Sequence, residues 1–193
     1  MRRTNIKKLT LAAMFLALAL VMPFLTGQIP QIGSMLCPMH IPVLLCGLVC
    51  GWQYGLAVGF VLPIMRSMIF GMPIMFPDAV AMAFELAAYG SIVGYLFEHA
   101  RWQCVVSLYR CMLAAMLCGR MVWGIVRMFC MGLGAEAFTL KAFFAGAFIN
   151  ALPGIILQLV VVPAIMLALD RTHLVPFRNH SKKGAGLCHK MTN

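Results

Sequence analysis

Acidic residues are scarce in this chain: Asp and Glu number 5 in 193 residues, against 15 Lys and Arg. Charged residues of both signs make up only 10%, while 63% are hydrophobic and the mean hydropathy is +0.94. A soluble domain carries about 25% charged and about 45–50% apolar residues. This composition excludes one and marks an integral membrane protein. No Gly-x-x-x-x-Gly-Lys-Ser/Thr loop occurs, which excludes ATP hydrolysis by that route. The apolar segments hold no Ser/His pair, no paired aspartates and no His-Glu-x-x-His, the constellations of an intramembrane enzyme. His40, Asp78 and Glu85 could be assembled into an acid–base site, but nothing in their spacing requires it. Eight cysteines are present, and their spacing does not suggest a disulfide framework: Cys46 and Cys50 are one helical turn apart, and Cys104, Cys111 and Cys118 recur every seven residues. With no polar or His companions converging on them they read as small packing residues, and no metal or cofactor is expected.

What is present is a series of apolar runs. A membrane-crossing helix needs about 20 mostly apolar residues, and six candidates occur at roughly 9–26, 39–51, 54–71, 79–97, 104–131 and 141–169. The second is short, and Gly51-Trp52-Gln53 is the one break before the third. The expected fold is therefore an all-α membrane bundle of six transmembrane helices over residues 1–170, followed by a basic tail over 171–193. Arg2, Arg3, Lys7 and Lys8 precede the first run, and Arg171, Arg178, Lys182, Lys183 and Lys190 follow the last. The proposed outer loops, about 27–38, 72–78 and 132–140, contain no Lys or Arg. The positive-inside rule then places both termini in the cytoplasm, with an even number of spans in the cell membrane. The net charge of +10 is thus mainly a topology signal. It also favours an anionic lipid surface, and no clustered, aromatic-interleaved patch argues for nucleic acid. The basic start and the run from Leu9 resemble a signal peptide, but without a small-residue cleavage site before Pro23 they read as a retained first helix.

Five charges inside these runs carry the functional information: Arg66, Glu85, Arg110, Arg120 and Arg127. A charge at the bilayer centre costs from about 2.5 to more than 10 kcal/mol, so such residues face a cavity, pair, or reach the interface. At 1.5 Å per residue, Arg66 and Glu85 both lie roughly 8–9 Å below the outer border, where antiparallel neighbours could pair them. Arg127 is similarly shallow, Arg120 lies one heptad deeper on the same face, and Asn150 sits about 14 Å down the last helix. Arg110 is near the inner border, where its side chain can snorkel. A structural Arg66–Glu85 ion pair is the plain reading. Arg120 and Arg127 then lack a buried acid, which points to a ligand with a carboxylate, a phosphate or a polarizable ring. His40 near the start of the second run either faces that ligand or sits at the interface. Asp78 is expected to cap the fourth helix.

Helix-packing motifs accompany the charges. Ala13 and Ala17 share a face of the first helix, and Gly51, Gly55 and Gly59 form a smooth stripe that neighbours can approach closely. Pro63 frees backbone carbonyls one turn before Arg66. Gly71, Pro73 and Pro77 set a tight turn. Pro153-Gly154 breaks the last helix near Asn150 and Gln158, a plausible wall for a polar pocket.

With about 190 residues, six helices, the Ala13/Ala17 pair, the Gly-rich second and third helices and the Asn150…Pro153-Gly154…Gln158…Pro163 final helix, the chain resembles the substrate-binding S component of an energy-coupling factor (ECF) vitamin transporter. The resemblance implies high-affinity capture of a water-soluble vitamin or precursor; Arg66, Glu85, Arg120, Arg127, Asn150 and His40, singled out above by position and polarity, are the expected substrate-binding residues. It implies docking through Ala13 and Ala17 on a transmembrane coupling subunit driven by two ATPase subunits, and a first outer loop that helps close over the ligand. The Pro38-Met-His-Ile-Pro and Arg66-Ser-Met-Ile-Phe-Gly-Met-Pro segments are loosely similar to members proposed for thiamine-precursor uptake. The alternative is an autonomous small secondary transporter with Glu85 as a proton-linked carboxylate, although no inverted repeat of the kind common in such carriers is recognisable.

Overall fold

The computed structural model describes residues 2–25, 38–100, 105–132 and 152–171. These form α1 (Arg2–Leu25), α2 (His40–Cys50), α3 (Trp52–Phe70), α4 (Val80–His99), α5 (Val105–Gly132) and α6 (Leu152–Arg171), with a kinked turn at Met75–Ala79 before α4, in which Phe76 is extended. No strand occurs among the described residues. Four helical stretches are long and apolar enough to cross a membrane: Ile6–Pro23, Trp52–Phe70, Met75–His99 and Val105–Cys130. His40–Cys50 and Pro153–Leu169 are apolar but shorter. The expected sixth span begins at 141, outside the described residues, so only its part from Leu152 is seen.

The joints follow from glycine. Gly51 has φ 105°, a region closed to most L side chains, and its N–H donates to Gly47 O at 3.2 Å while its own carbonyl accepts from Gly55 N at 3.1 Å. One residue therefore ends α2 and starts α3. Gly71, at φ 69°, closes α3 by donating to Ser67 O at 2.9 Å, a left-handed helix cap. The Met72–Asp78 segment marks one end of the bundle, the turn end.

Helix α4 is the centre of the bundle, packed on α2, α3 and α5. Its approach to α3 is backbone to backbone: a Cβ on Gly90 would meet Gly55 O at 2.3 Å, and one on Gly59 would meet Leu86 O at 2.4 Å. A Cβ on Gly94 would likewise meet Gly47 O at 2.6 Å. The expected Gly51/Gly55/Gly59 stripe is thus half right. Gly55 and Gly59 make the close approach, whereas a Cβ on Gly51 would meet nothing within 4 Å, because that residue is spent on the joint.

Helix α2 is buried along nearly its whole length. Eleven residues rise only about 16 Å, roughly half the hydrocarbon thickness, and α1, α3, α4 and α6 enclose it. It is an inner helix, lined with Ile41, Val43, Leu44 and Leu45. On the outside, Leu113, Leu117, Met121, Ile125 and Met128 run down α5, and Met14, Leu18 and Val21 run along α1. Exposed apolar stripes of this length suit lipid contact.

Candidate functional site

The described face of α5 that turns inward carries Met112, Met116, Gly119, Arg120 and Trp123. Residues three and four apart share a helix face, so Arg120 is carried towards α4. There Nη1 of Arg120 lies 3.0 Å from Oε1 of Glu85. Glu85 is 2% exposed and Arg120 7%. His40, at the first turn of α2 and 1% exposed, brings Nε2 within 3.8 Å of the same Glu85 oxygen. Its ring meets that of Tyr89 edge-on, 5.2 Å between centroids. Tyr89 in turn fits because residue 119 is glycine: a Cβ there would meet Tyr89 Cε1 at 2.9 Å. Three helices thus place a carboxylate, a guanidinium, an imidazole and a phenol ring in one buried layer.

Nearer the turn end, Arg127 forms an ion pair with Asp78, and its guanidinium carbon stands 5.2 Å from the centroid of the Trp123 ring. This pair is partly exposed. Arg66, four residues before the end of α3, is 8% exposed. Its Nε donates to Met72 O at 3.2 Å. Gln158 on α6 is also buried.

The partners differ from those expected. Glu85 pairs with Arg120, and no Arg66–Glu85 pair occurs among the described residues. Arg120 and Arg127 therefore do have acids, Glu85 and Asp78. Asp78 is engaged by Arg127 and makes no capping bond: α4 starts from Ala79, with no side-chain cap. The physical reason is reach, since a long guanidinium on a packed neighbour attains a carboxylate that would otherwise satisfy only one backbone N–H. Asn150, expected in the site, lies outside the described residues, as does the first outer loop. Pro153-Gly154 falls in the first turn of the described α6. Tyr89 was missed because an aromatic on a buried helix face reads as core, and Gly119 because only a three-dimensional neighbour reveals its use.

A cleft of about 200 Å³ lies at the opposite end, around the α2–α3 joint, lined by Lys8, Trp52, Gln53 and Glu98 among others. Those four side chains are solvent-exposed and hold none of the buried charge. Burial of polar groups, rather than cleft volume, marks the His40–Glu85–Arg120 layer as the candidate site, because ionised groups kept out of water demand compensation.

A family model described as ECF transporter, substrate-specific component, matches residues 7–166. The chain belongs to this family. Neither curated proteins nor solved structures gave a match. As an ECF substrate-specific component the chain is a transport subunit of an all-α, multi-pass membrane type, and the family is one of transporters rather than enzymes.

Proposed function

We propose that this ECF substrate-specific component captures a water-soluble vitamin or vitamin precursor at the turn end and delivers it across the cell membrane by docking on a coupling subunit powered by two ATPases. The carrying observation is the buried Glu85–Arg120 pair with His40 against it, in a chain otherwise apolar enough to sit in a bilayer. A polar layer of this kind is costly unless function retains it. Arg66, Glu85, Arg120, Arg127 and His40 are assigned to substrate binding, with Asn150 from the segment before α6. The basic ends of the chain support the reading that both termini are cytoplasmic and the turn end lies outside.

Docking is assigned to Ala13 and Ala17. Both are exposed on α1, while Ala12 and Ala19 on its other side are buried. Small residues on an outward helix face let another helix approach closely.

The test is purification in mild detergent followed by mass spectrometry of what accompanies the protein, together with uptake in liposomes. A vitamin-like molecule near one per protein, moved only when coupling and ATPase subunits are present, supports the reading. Uptake by the chain alone, driven by a proton gradient, would instead make it an autonomous transporter.

A further inference from the structure

We infer that the substrate carries one net negative charge and seats that charge on Arg66. This rests on the reading of the turn end as the substrate site and goes beyond it to the class of molecule. Among the described residues of that end, Arg66, Arg120 and Arg127 supply three positive charges, and Asp78 and Glu85 two negative ones. Glu85 is matched to Arg120 and Asp78 to Arg127, so the surplus charge is that of Arg66. A guanidinium stays protonated in any protein setting and cannot shed its charge to escape burial.

The geometry of Arg66 supports the assignment. The side chain is 8% exposed, so it does not reach out to water or headgroups along its stem. Its Nε is held by the Met72 carbonyl, and the buried Nη1 has no hydrogen-bond partner among the described residues. A buried cation with a donor left over is matched by an anion meeting the Nη end of the fork, the contact that arginine makes best with carboxylate and phosphate oxygens. A single surplus charge fits a carboxylate or a phosphodiester better than a phosphate monoester, which carries about −1.5 to −2.

His40 supplies the second contact. Neither of its buried ring nitrogens hydrogen-bonds to a described residue. Counting from the Gly51 joint, His40 stands about 16 Å and Arg66 about 22 Å towards the turn end. The substrate's anionic group therefore sits nearer the turn, and an uncharged polar part reaches inward to the His40 imidazole.

A soluble carboxylate and the phosphodiester of an anionic lipid share this chemistry, and one experiment separates them. The full chain is purified in dodecyl maltoside and exposed to an equimolar mixture of nicotinate, pantothenate and biotin (anions), nicotinamide, riboflavin and pyridoxine (neutral) and thiamine (cation), with and without dioleoylphosphatidylglycerol. Native mass spectrometry reads which probe is retained by the wild type, Arg66→Gln and Arg66→Lys, with gel filtration as the check on folding. The expected result is a retained monoanionic vitamin, lost about tenfold or more in Arg66→Gln and kept in Arg66→Lys, as the worth of a charged hydrogen bond implies. Retention of a neutral or cationic probe, equal retention by Arg66→Gln, or retention of no anion overturns the inference; a neutral vitamin moved by the ATP-driven complex would do so while leaving the proposed function intact. Phosphatidylglycerol held by the wild type in place of every vitamin, and released by Arg66→Gln, would uphold Arg66 as an anion seat and count against vitamin capture.

Discussion

Glu85 Oε1 and Arg120 Nη1 meet at 3.0 Å in the buried interior of the bundle, and seven residues towards the turn end on each chain segment Asp78 and Arg127 meet as well. Seven residues is about two helical turns, or roughly 10.5 Å, so antiparallel neighbours keep register from one pair to the next. The α4–α5 seam is thus a ladder with one buried and one half-buried rung. The buried rung carries the His40 contact, and the outer rung ties α5 to the segment that precedes α4.

Removing one partner of the inner rung should be severe. Glu85→Gln leaves the Arg120 charge without its carboxylate, and breaking a buried pair costs about 3–5 kcal/mol. The double variant Glu85→Gln/Arg120→Met should melt closer to wild type than Glu85→Gln does, because the uncompensated charge is gone. Thermal unfolding in detergent checks this; a double variant that melts lower than the single would rule out the pair as described.

The outer rung should behave differently. With both side chains partly exposed, Arg127→Ala should cost at most about 1 kcal/mol of stability, yet weaken binding of the substrate. Retained affinity would take Arg127 out of the site.

Backbone contact between α3 and α4 sets a third expectation. Gly90→Ala drives a Cβ to 2.3 Å from Gly55 O, and overpacking of this kind costs about 1–3 kcal/mol or more. Gly71→Ala meets nothing within 4 Å and faces only its φ of 69°, a penalty of about 1 kcal/mol. The melting temperature of Gly90→Ala should fall further; the reverse order would contradict the packing.

Ala13→Trp should block assembly with the coupling subunit and spare substrate binding, since residue 13 faces away from the bundle. Co-purification of the coupling subunit with wild-type and variant chains measures it, and undiminished co-purification would remove this face from the docking surface.

The sequence by itself determined the class and the outline. Runs of apolar residues too long and too poor in charge for a soluble domain fixed a helical membrane bundle, since hydrocarbon tolerates only backbones that satisfy their own hydrogen bonds. The break at Gly51-Trp52-Gln53 and the turn at Gly71 were legible because a chain that turns sharply between two helices calls for glycine, whereas Gly51 itself was expected in the packing stripe and serves the joint instead. The embedded charges announced a polar layer by their cost alone. Tertiary structure decided what each charge meets. Glu85 had arginines within reach on both neighbouring helices, Arg66 on α3 and Arg120 on α5, and depth along the membrane fits either. Only the rotation of α4 about its axis, set by Gly90 against Gly55 and by Leu86 against Gly59, turns Glu85 to Arg120 and leaves Arg66 to the Met72 carbonyl. Sequence spacing gives the height of a side chain on its helix, whereas its direction relative to a neighbour is fixed by packing of both helices at once.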